Sequence, residues 1–441
     1  MHKSRHAAPG PRYALFWRWH FYAGLFVLPF IVILSITGSI YLFKPQIERW
    51  EERAYLGLGE AGRVSPDRQL AAVLAANPGA HFNLYRLPRE PGDAAMIQLG
   101  MPTGTLREVY VSPQGRVLGS LDPDTRISAV VARIHGSLLM GRVGDWLVEL
   151  AASWTIVMIV TGLYLWWPRP LRFAGTLWPR LGLRGRPLLK DLHRVIGFWI
   201  AGLVLVMLAS GLPWAGVWGS AFAWTRAELG WVKGPQDWKV GAADGHAGHD
   251  AGMMMAMPSP SATKSGLPLS AFVAKAEGEH MAFPVQVLPP HAPQAFGPPT
   301  GAVWTVKSAA QNRRLTRQVT YDPVTGRELG RSGFADQHWV DRIVNTGVAW
   351  HEGQLFGVAN QIVGALTAAA LIALSVVGTL MWLRRRPKGA FGAPLAGPAR
   401  LGWAALAVVV LGVLLPLFGA SVLVILIVDR LRGLVTRRAM G

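Results

Sequence analysis

Two stretches decide the fold: RIHGSLLMGRVGDWLVELAASWTIVMIVTGLYLWWPR (residues 133–169) and AWHEGQLFGVANQIVGALTAAALIALSVVGTLMWLRR (residues 349–385). Each sets a histidine, His135 or His351, just ahead of a long apolar run. Glycine follows six residues on (Gly141, Gly357) and again twenty-seven on (Gly162, Gly378). Trp166 and Trp382, then Arg169 and Arg384, close the two runs. A second pair obeys its own spacing. In WRWHFYAGLFVLPFIVILSITGS and KDLHRVIGFWIAGLVLVMLASGL, His20 and His193 are followed by glycine at four residues (Gly24, Gly197) and at eighteen (Gly38, Gly211). Between the histidine-bearing runs, VYVSPQGRVLG echoes VTYDPVTGRELG, each reading as strand, turn and strand. The spacing predicts a tandem duplication of one unit: a span with histidine at its inner end, an external domain, and a returning span with histidine at its outer entrance.

Apolar runs occupy about residues 21–43, 146–168, 195–218, 356–383 and 402–428 of the 441, and each is long enough to cross a hydrocarbon core. The first lacks a small-x-small cleavage site and reads as a retained anchor. Hydrophobic residues make up 51% of the chain, with 19 Trp and no cysteine. The missing thiols exclude disulfides, thiolate metal sites and iron–sulfur clusters.

A net charge of +19 suggests nucleic acid until it is divided by segment. Residues 44–145 and 219–355 each hold twelve bases and eleven acids, so both are near neutral. The excess lies in the N-terminus and in the short segments 169–192 and 384–400, which is the positive-inside pattern. Nucleic-acid binding is set aside, the lipid bilayer is the expected surroundings, and the N-terminus is expected inside.

The expected organisation follows. Residues 1–43 form a basic N-terminus and first span, 44–145 an external domain, 146–168 the second span and 169–192 a basic inner loop. Residues 193–218 form the third span, 219–355 a second external domain, 356–383 the fourth span and 384–400 another basic loop. Residues 401–441 form a hairpin or a fifth span, with a shallow turn at Pro416–Gly419 keeping the terminal arginines inside. The fold class is a multi-span α-helical membrane protein, four core helices in two tandem repeats plus a C-terminal hydrophobic segment, with two α+β external domains. In those domains, SPDRQLAAVLAANPG and LPLSAFVAKAEGE read as helices and AMIQLG, LREVYVS, AVWTVKS and RQVTYDP as strands, with turns at PQG and PVTG.

Two parallel repeats associate about an axis along the membrane normal. That arrangement sets His20 against His193 near one surface and His135 against His351 near the other. Two imidazoles facing across a helical bundle are a ligand set for b-type haem, so two haems are expected. Gly24 and Gly197 would clear room beside the inner ligands, and Gly38 and Gly211 would face the interior near the outer pair. Arg18, Lys190 and Arg194 lie near the inner histidines and suit haem propionates. Trp154, Trp166, Trp199 and Trp214 could line a route between the sites. A lone histidine at a helix end is usually a cap, and small glycines also serve close helix packing; four histidines at matching positions are what favours ligation. No carboxylate recurs beside both His135 and His351, which weakens a zinc site there. The insert DGHAGHDAGMMMAMPSP (244–260) offers His246, His249, Met253, Met254 and Met255, a set that suits copper, against the simpler reading of a low-complexity linker. His338 reads as a surface histidine near the outer face. No nucleotide fingerprint, nucleophile elbow or paired-carboxylate motif is present.

The residues LHRVIGFW, RIHGSLLMGRVGDW, VTGLYLWWPR and HEGQLFG resemble the PepSY-associated transmembrane proteins, a family that includes iron-regulated inner-membrane proteins and ferric-siderophore reductases. The resemblance runs from about residue 12 to 386 and matches all four histidines. It implies two PepSY-like domains in the periplasm, haem b in the bacterial inner membrane, and electron transfer outward to a ferric siderophore or another periplasmic acceptor. The donor would be quinol or a separate cytoplasmic reductase, since the chain carries no flavin or nicotinamide motif. A haem-free anchor binding a periplasmic protein, and a copper-handling membrane protein, are the alternatives.

Overall fold

The computed structural model describes residues 11–167, 173–233, 266–294, 298–387, 392 and 402–440, with side chains from Arg12 to Arg432. The insert 244–260, with His246, His249, Met253, Met254 and Met255, lies outside the described residues. The chain divides into two compact units, one made of Met1–Ser39, His135–Ser220 and Ala365–Gly441, the other of Ile40–Ile134 and Ala221–Gly364.

Among the described residues, four helices are long and apolar enough to cross a membrane: Arg12–Leu42, Gly141–Trp166, Arg186–Trp214 and Val358–Leu383. A bilayer core offers no water to backbone or hydroxyl groups, so polar side chains there must find partners within the protein. The hydroxyls of Ser39, Thr155, Thr161, Ser375 and Thr379 each donate to the carbonyl four residues earlier. Two carboxylates on the second span are employed as caps. Glu149 accepts from the backbone N–H groups of Val217 and Trp218 at 2.9 and 3.1 Å, and Asp145 from that of Gly216 at 3.3 Å. These are the first free N–H groups of the helix Gly216–Glu228, where negative charge is favoured by the helix dipole.

The C-terminal apolar run forms two helices, Trp403–Leu414 and Pro416–Met440. Leu415 leaves helical geometry between them, just ahead of Pro416, whose ring cannot continue the preceding helix. The bend is sharp enough that a side chain on Gly419 would strike the Gly412 backbone. Leu415 and Phe418 pack with Val157 and Leu212, and the Trp154 indole N–H donates to Ser421 at 3.1 Å, so this bend lies on the second and third spans.

The other unit is built on one eight-stranded antiparallel sheet. Its strands are β1 (His81–Arg86), β2 (Ala95–Gly100), β3 (Leu106–Val111), β4 (Val117–Leu121), β5 (Val285–Leu288), β6 (Trp304–Ser308), β7 (Arg317–Tyr321) and β8 (Glu328–Gly333), in the order β4-β3-β2-β1-β5-β6-β7-β8. The segments 44–145 and 219–355 therefore share one sheet, four strands each. They meet where Tyr85 pairs with Val287 and Arg86 with Gln286, which removes an open edge from both halves. The helices Pro66–Ala76 and Leu269–Gly278 cover one face, burying Val73, Phe272, Val273 and Ala276 against Ile97, Val109, Val287, Val306 and Val319. Ser65 starts the first of these helices by accepting from Arg68 N–H, with proline at the first helical position. Tight turns close the outer hairpins: Gly115 and Gly326 both take positive φ, +83° and +67°, as turns of this kind require.

An ion cluster ties the sheet to the helix Lys44–Glu51. The Arg126 guanidinium, 7% exposed, reaches Glu51 at 3.0 Å, Glu52 at 2.9 Å and Glu108 on β3 at 2.9 Å. Arg86 meets Glu52 through two parallel bonds of 3.1 and 2.8 Å, and the Tyr110 hydroxyl donates to the same carboxylate. Burial works against the Glu52 carboxylate, but Arg86, then Arg126 and Tyr110, outweigh it and hold the acid below its ordinary range. Arg126→Ala strands buried carboxylates and is expected to cost about 3–5 kcal/mol, read as a lowered unfolding midpoint of the solubilised protein. A carboxylate held low in the folded state contributes stability above its unfolded pKa, about 4.3, and loses that contribution as pH falls through its folded value. The gap in melting temperature between wild type and Glu52→Gln should thus be full near neutrality and narrow below pH of about 4; a gap constant with pH would contradict the assignment.

Candidate cofactor site: paired histidines

The Arg12–Leu42 helix brings His20, and the Arg186–Trp214 helix His193, to one place in the membrane unit. Their ring centroids lie 6.2 Å apart with the planes at 88°. One metal atom shared by two imidazole nitrogens requires two bonds of about 2.0–2.1 Å, plus about 1.1 Å from each nitrogen to its ring centre, or about 6.3 Å. The observed separation leaves room for one metal atom between the two rings.

The hydrogen bonds assign the tautomers. His20 Nδ1 lies 2.9 Å from the Met158 carbonyl, which can only accept, so the proton sits on Nδ1 and Nε2 keeps its lone pair. Thr161 Oγ1, at 3.3 Å, backs the same nitrogen while its own proton goes to Val157 at 2.8 Å. His135 is held the same way. Its Nδ1 lies 3.1 Å from Thr37 Oγ1, and the Thr37 hydroxyl donates to Ile33 at 2.8 Å, so the oxygen is left to accept. A ligating histidine commonly bonds through its far nitrogen in this manner, which fixes ring orientation.

Each of three imidazoles rests on a glycine. A Cβ at Gly162 would lie 3.0 Å from His20 Cε1, one at Gly38 3.1 Å from His135 Cε1, and one at Gly378 3.7 Å from His193 Cε1. Two of these seats are Thr–Gly dipeptides, Thr37–Gly38 and Thr161–Gly162. At the corresponding third position Val377 precedes Gly378, so no hydroxyl is supplied. The threonines were not among the expected site residues, although the repeated dipeptide was visible in the sequence.

The remaining expected residues fall as follows. Gly38 lies against His135. Gly24 and Gly197 would place a Cβ 3.7 Å from Met158 Sδ and 4.0 Å from Leu374 Cδ1, so they serve helix contacts. Gly211 ends the helix Arg186–Gly211 ahead of a short 3-10 turn. His351 ends the helix Trp339–His351 and belongs to the sheet-bearing unit, whereas His135 belongs to the membrane unit. Arg194 donates to the Trp166 carbonyl at 3.1 Å and Arg18 lies over the Tyr22 ring. Trp166 stacks on Phe198 at 4.0 Å, while Trp199 is 63% exposed and points outward. His338 caps its own helix by accepting from Val340 N–H. Among the described residues there is no group of three or more His, Asp or Glu suited to a metal ion, so the donor set here is a pair.

The His20–His193 pair lies among four helices long and apolar enough to cross a membrane, the architecture of a multi-span membrane protein. Residues 17–385 match the PepSY-associated TM region model, and the chain belongs to that family. No curated protein matches it.

The glycine seats can be tested apart from any cofactor. Gly162→Ala forces His20 to give way and is expected to destabilise the protein by about 1–3 kcal/mol. Gly202→Ala, where an added Cβ meets nothing within 4 Å, should leave the melting temperature unchanged or higher. Equal behaviour of the two variants would remove the seat from the account.

Proposed function

We propose that this chain is a dihaem b oxidoreductase of the bacterial inner membrane that passes electrons outward to a ferric siderophore or a similar ferric chelate. In this reading the N-terminus is cytoplasmic, the shared sheet is periplasmic, and the histidine-bearing helices are two tandem repeats. The observation that carries it is the His20–His193 pair, 6.2 Å apart between ring centres and with His20 Nε2 unprotonated. The repeat spacing makes His135 and His351 the ligands expected for the second haem.

Haem iron bound between such imidazoles supplies reversible one-electron exchange without bond making in the protein. The chain's own residues do the rest. Met158 and Thr161 hold His20 in the tautomer that presents Nε2, and Thr37 does so for His135. Gly162, Gly38 and Gly378 let the rings sit close to the neighbouring backbone. Apolar helices exclude water, which favours outer-sphere transfer over side reactions. Reduction weakens the grip of hard oxygen ligands on iron, so a chelate reduced at the outer face releases its metal. The electron donor is quinol or a cytoplasmic reductase.

Pyridine haemochrome analysis with oxidised and dithionite-reduced spectra of the purified protein tests this. Two b-type haems per chain are expected, falling to one in His193→Ala and to one in His351→Ala. Thr161→Val should keep both haems and shift the midpoint potential of one, because the bond behind His20 is weakened. A protein that stays colourless after haem reconstitution sinks the reading and leaves the family's sheet as a haem-free scaffold for a periplasmic partner.

A further inference from the structure

In the sheet-bearing unit, a cavity of about 300 Å³ opens under the seam between β1 and β5. That is the small end of the range for ligand sites, about 300–1,000 Å³. Its floor reaches Gln354, three residues beyond His351, and its walls come from both halves of the sheet and from the helix Lys44–Glu51.

The charges lining it do not balance internally. The acids are committed: Glu52 to Arg86, Arg126 and Tyr110, Glu48 to the Ser128 hydroxyl, and Asp93 to the backbone N–H groups of Gly57 and Glu90. Lys44 pairs with Glu48 at 3.8 Å. Two cations are not committed. Arg49 and Arg89 meet no carboxylate within ion-pair distance among the described residues, and Arg89 lies over the Phe283 ring at 4.1 Å. Burial and then the neighbouring Arg49 and Arg86 charges push the Arg89 guanidinium down from its ordinary range, outweighing Glu52 and Glu90. On the same wall, Gln311 Nε2 is a buried donor with no acceptor. Unsatisfied buried donors are uncommon in folded proteins.

We propose that this cavity is a binding site for a small polycarboxylate of about the size of citrate. Planar guanidinium forks match carboxylates through paired bonds. Arg49, on the helix Lys44–Glu51, and Arg89, beyond the end of β1, come from different elements, so they suit anionic groups spread over one molecule better than a single compact oxyanion. Phe283, Pro284 and Leu315 supply an apolar wall for the carbon skeleton. The site stands whether or not the chain carries haem.

Isothermal titration of the solubilised full-length protein with citrate, at fixed ionic strength, tests it. Saturable binding is expected, about tenfold weaker in Arg49→Gln and in Arg89→Gln, and about a hundredfold weaker in the double variant. Neither side chain anchors the fold through an ion pair, so the variants should melt as wild type does without ligand. Arg107→Gln, an exposed cation on β3 outside the cavity, should bind as wild type does. Inorganic phosphate should bind at least tenfold more weakly than citrate. Absence of saturable heat, variants that bind as wild type does, or phosphate that binds as tightly as citrate would each overturn the proposal.

Discussion

An imidazole placed between apolar helices is tolerated only if one of its nitrogens is satisfied by the protein. The membrane unit answers that constraint with a compact device. A threonine spends its proton on its own helix and turns its oxygen to Nδ1, and the glycine next to it lets the ring approach the backbone. The second nitrogen is then left as a free donor of electrons. At the third seat Val377 stands where the threonine would be, so the second imidazole of the pair has no hydroxyl behind it.

The approach of His20 to His193 was legible in the sequence because it depends on short, repeated spacings along helices. His20 and His193 share glycines at the same offsets, and the four apolar runs that carry the spans stand out by length alone. The seats were half legible. Gly162 and Gly378 were visible as repeat glycines, but which histidine each would meet depends on how helices pack, and no local pattern encodes that. The strands and turns of the external segments were also readable, AMIQLG being β2 from end to end. Their union into one sheet was not, since Tyr85 and Val287 pair across a gap that carries no periodic signal. Nor were the roles of Asp145 and Glu149, which read as ordinary acids until the helix they cap is in place.

Charge is handled differently in the two units. In the membrane unit, Asp145 and Glu149 are met by backbone N–H groups, and Asp191 by the Arg180 guanidinium at 2.7 Å. In the sheet-bearing unit, Arg126 draws three acids together around one guanidinium, and the surplus cations gather at a cavity wall. A buried cluster of that kind fixes position more than it adds stability, because desolvation offsets much of its attraction. Its effect is to hold the helix that follows the first span at a set angle to β3.

The seam between β1 and β5 has a consequence for how the protein is made. Val285 follows Arg86 by 199 residues, so β1 leaves the ribosome long before its second neighbour exists. During that interval two more membrane helices must be inserted while one edge of the nascent sheet stays open. An open edge is a template for pairing with other chains. Biogenesis of this protein therefore passes through a half-built sheet that needs shelter, and a truncated chain ending before the third span would carry that exposed edge permanently.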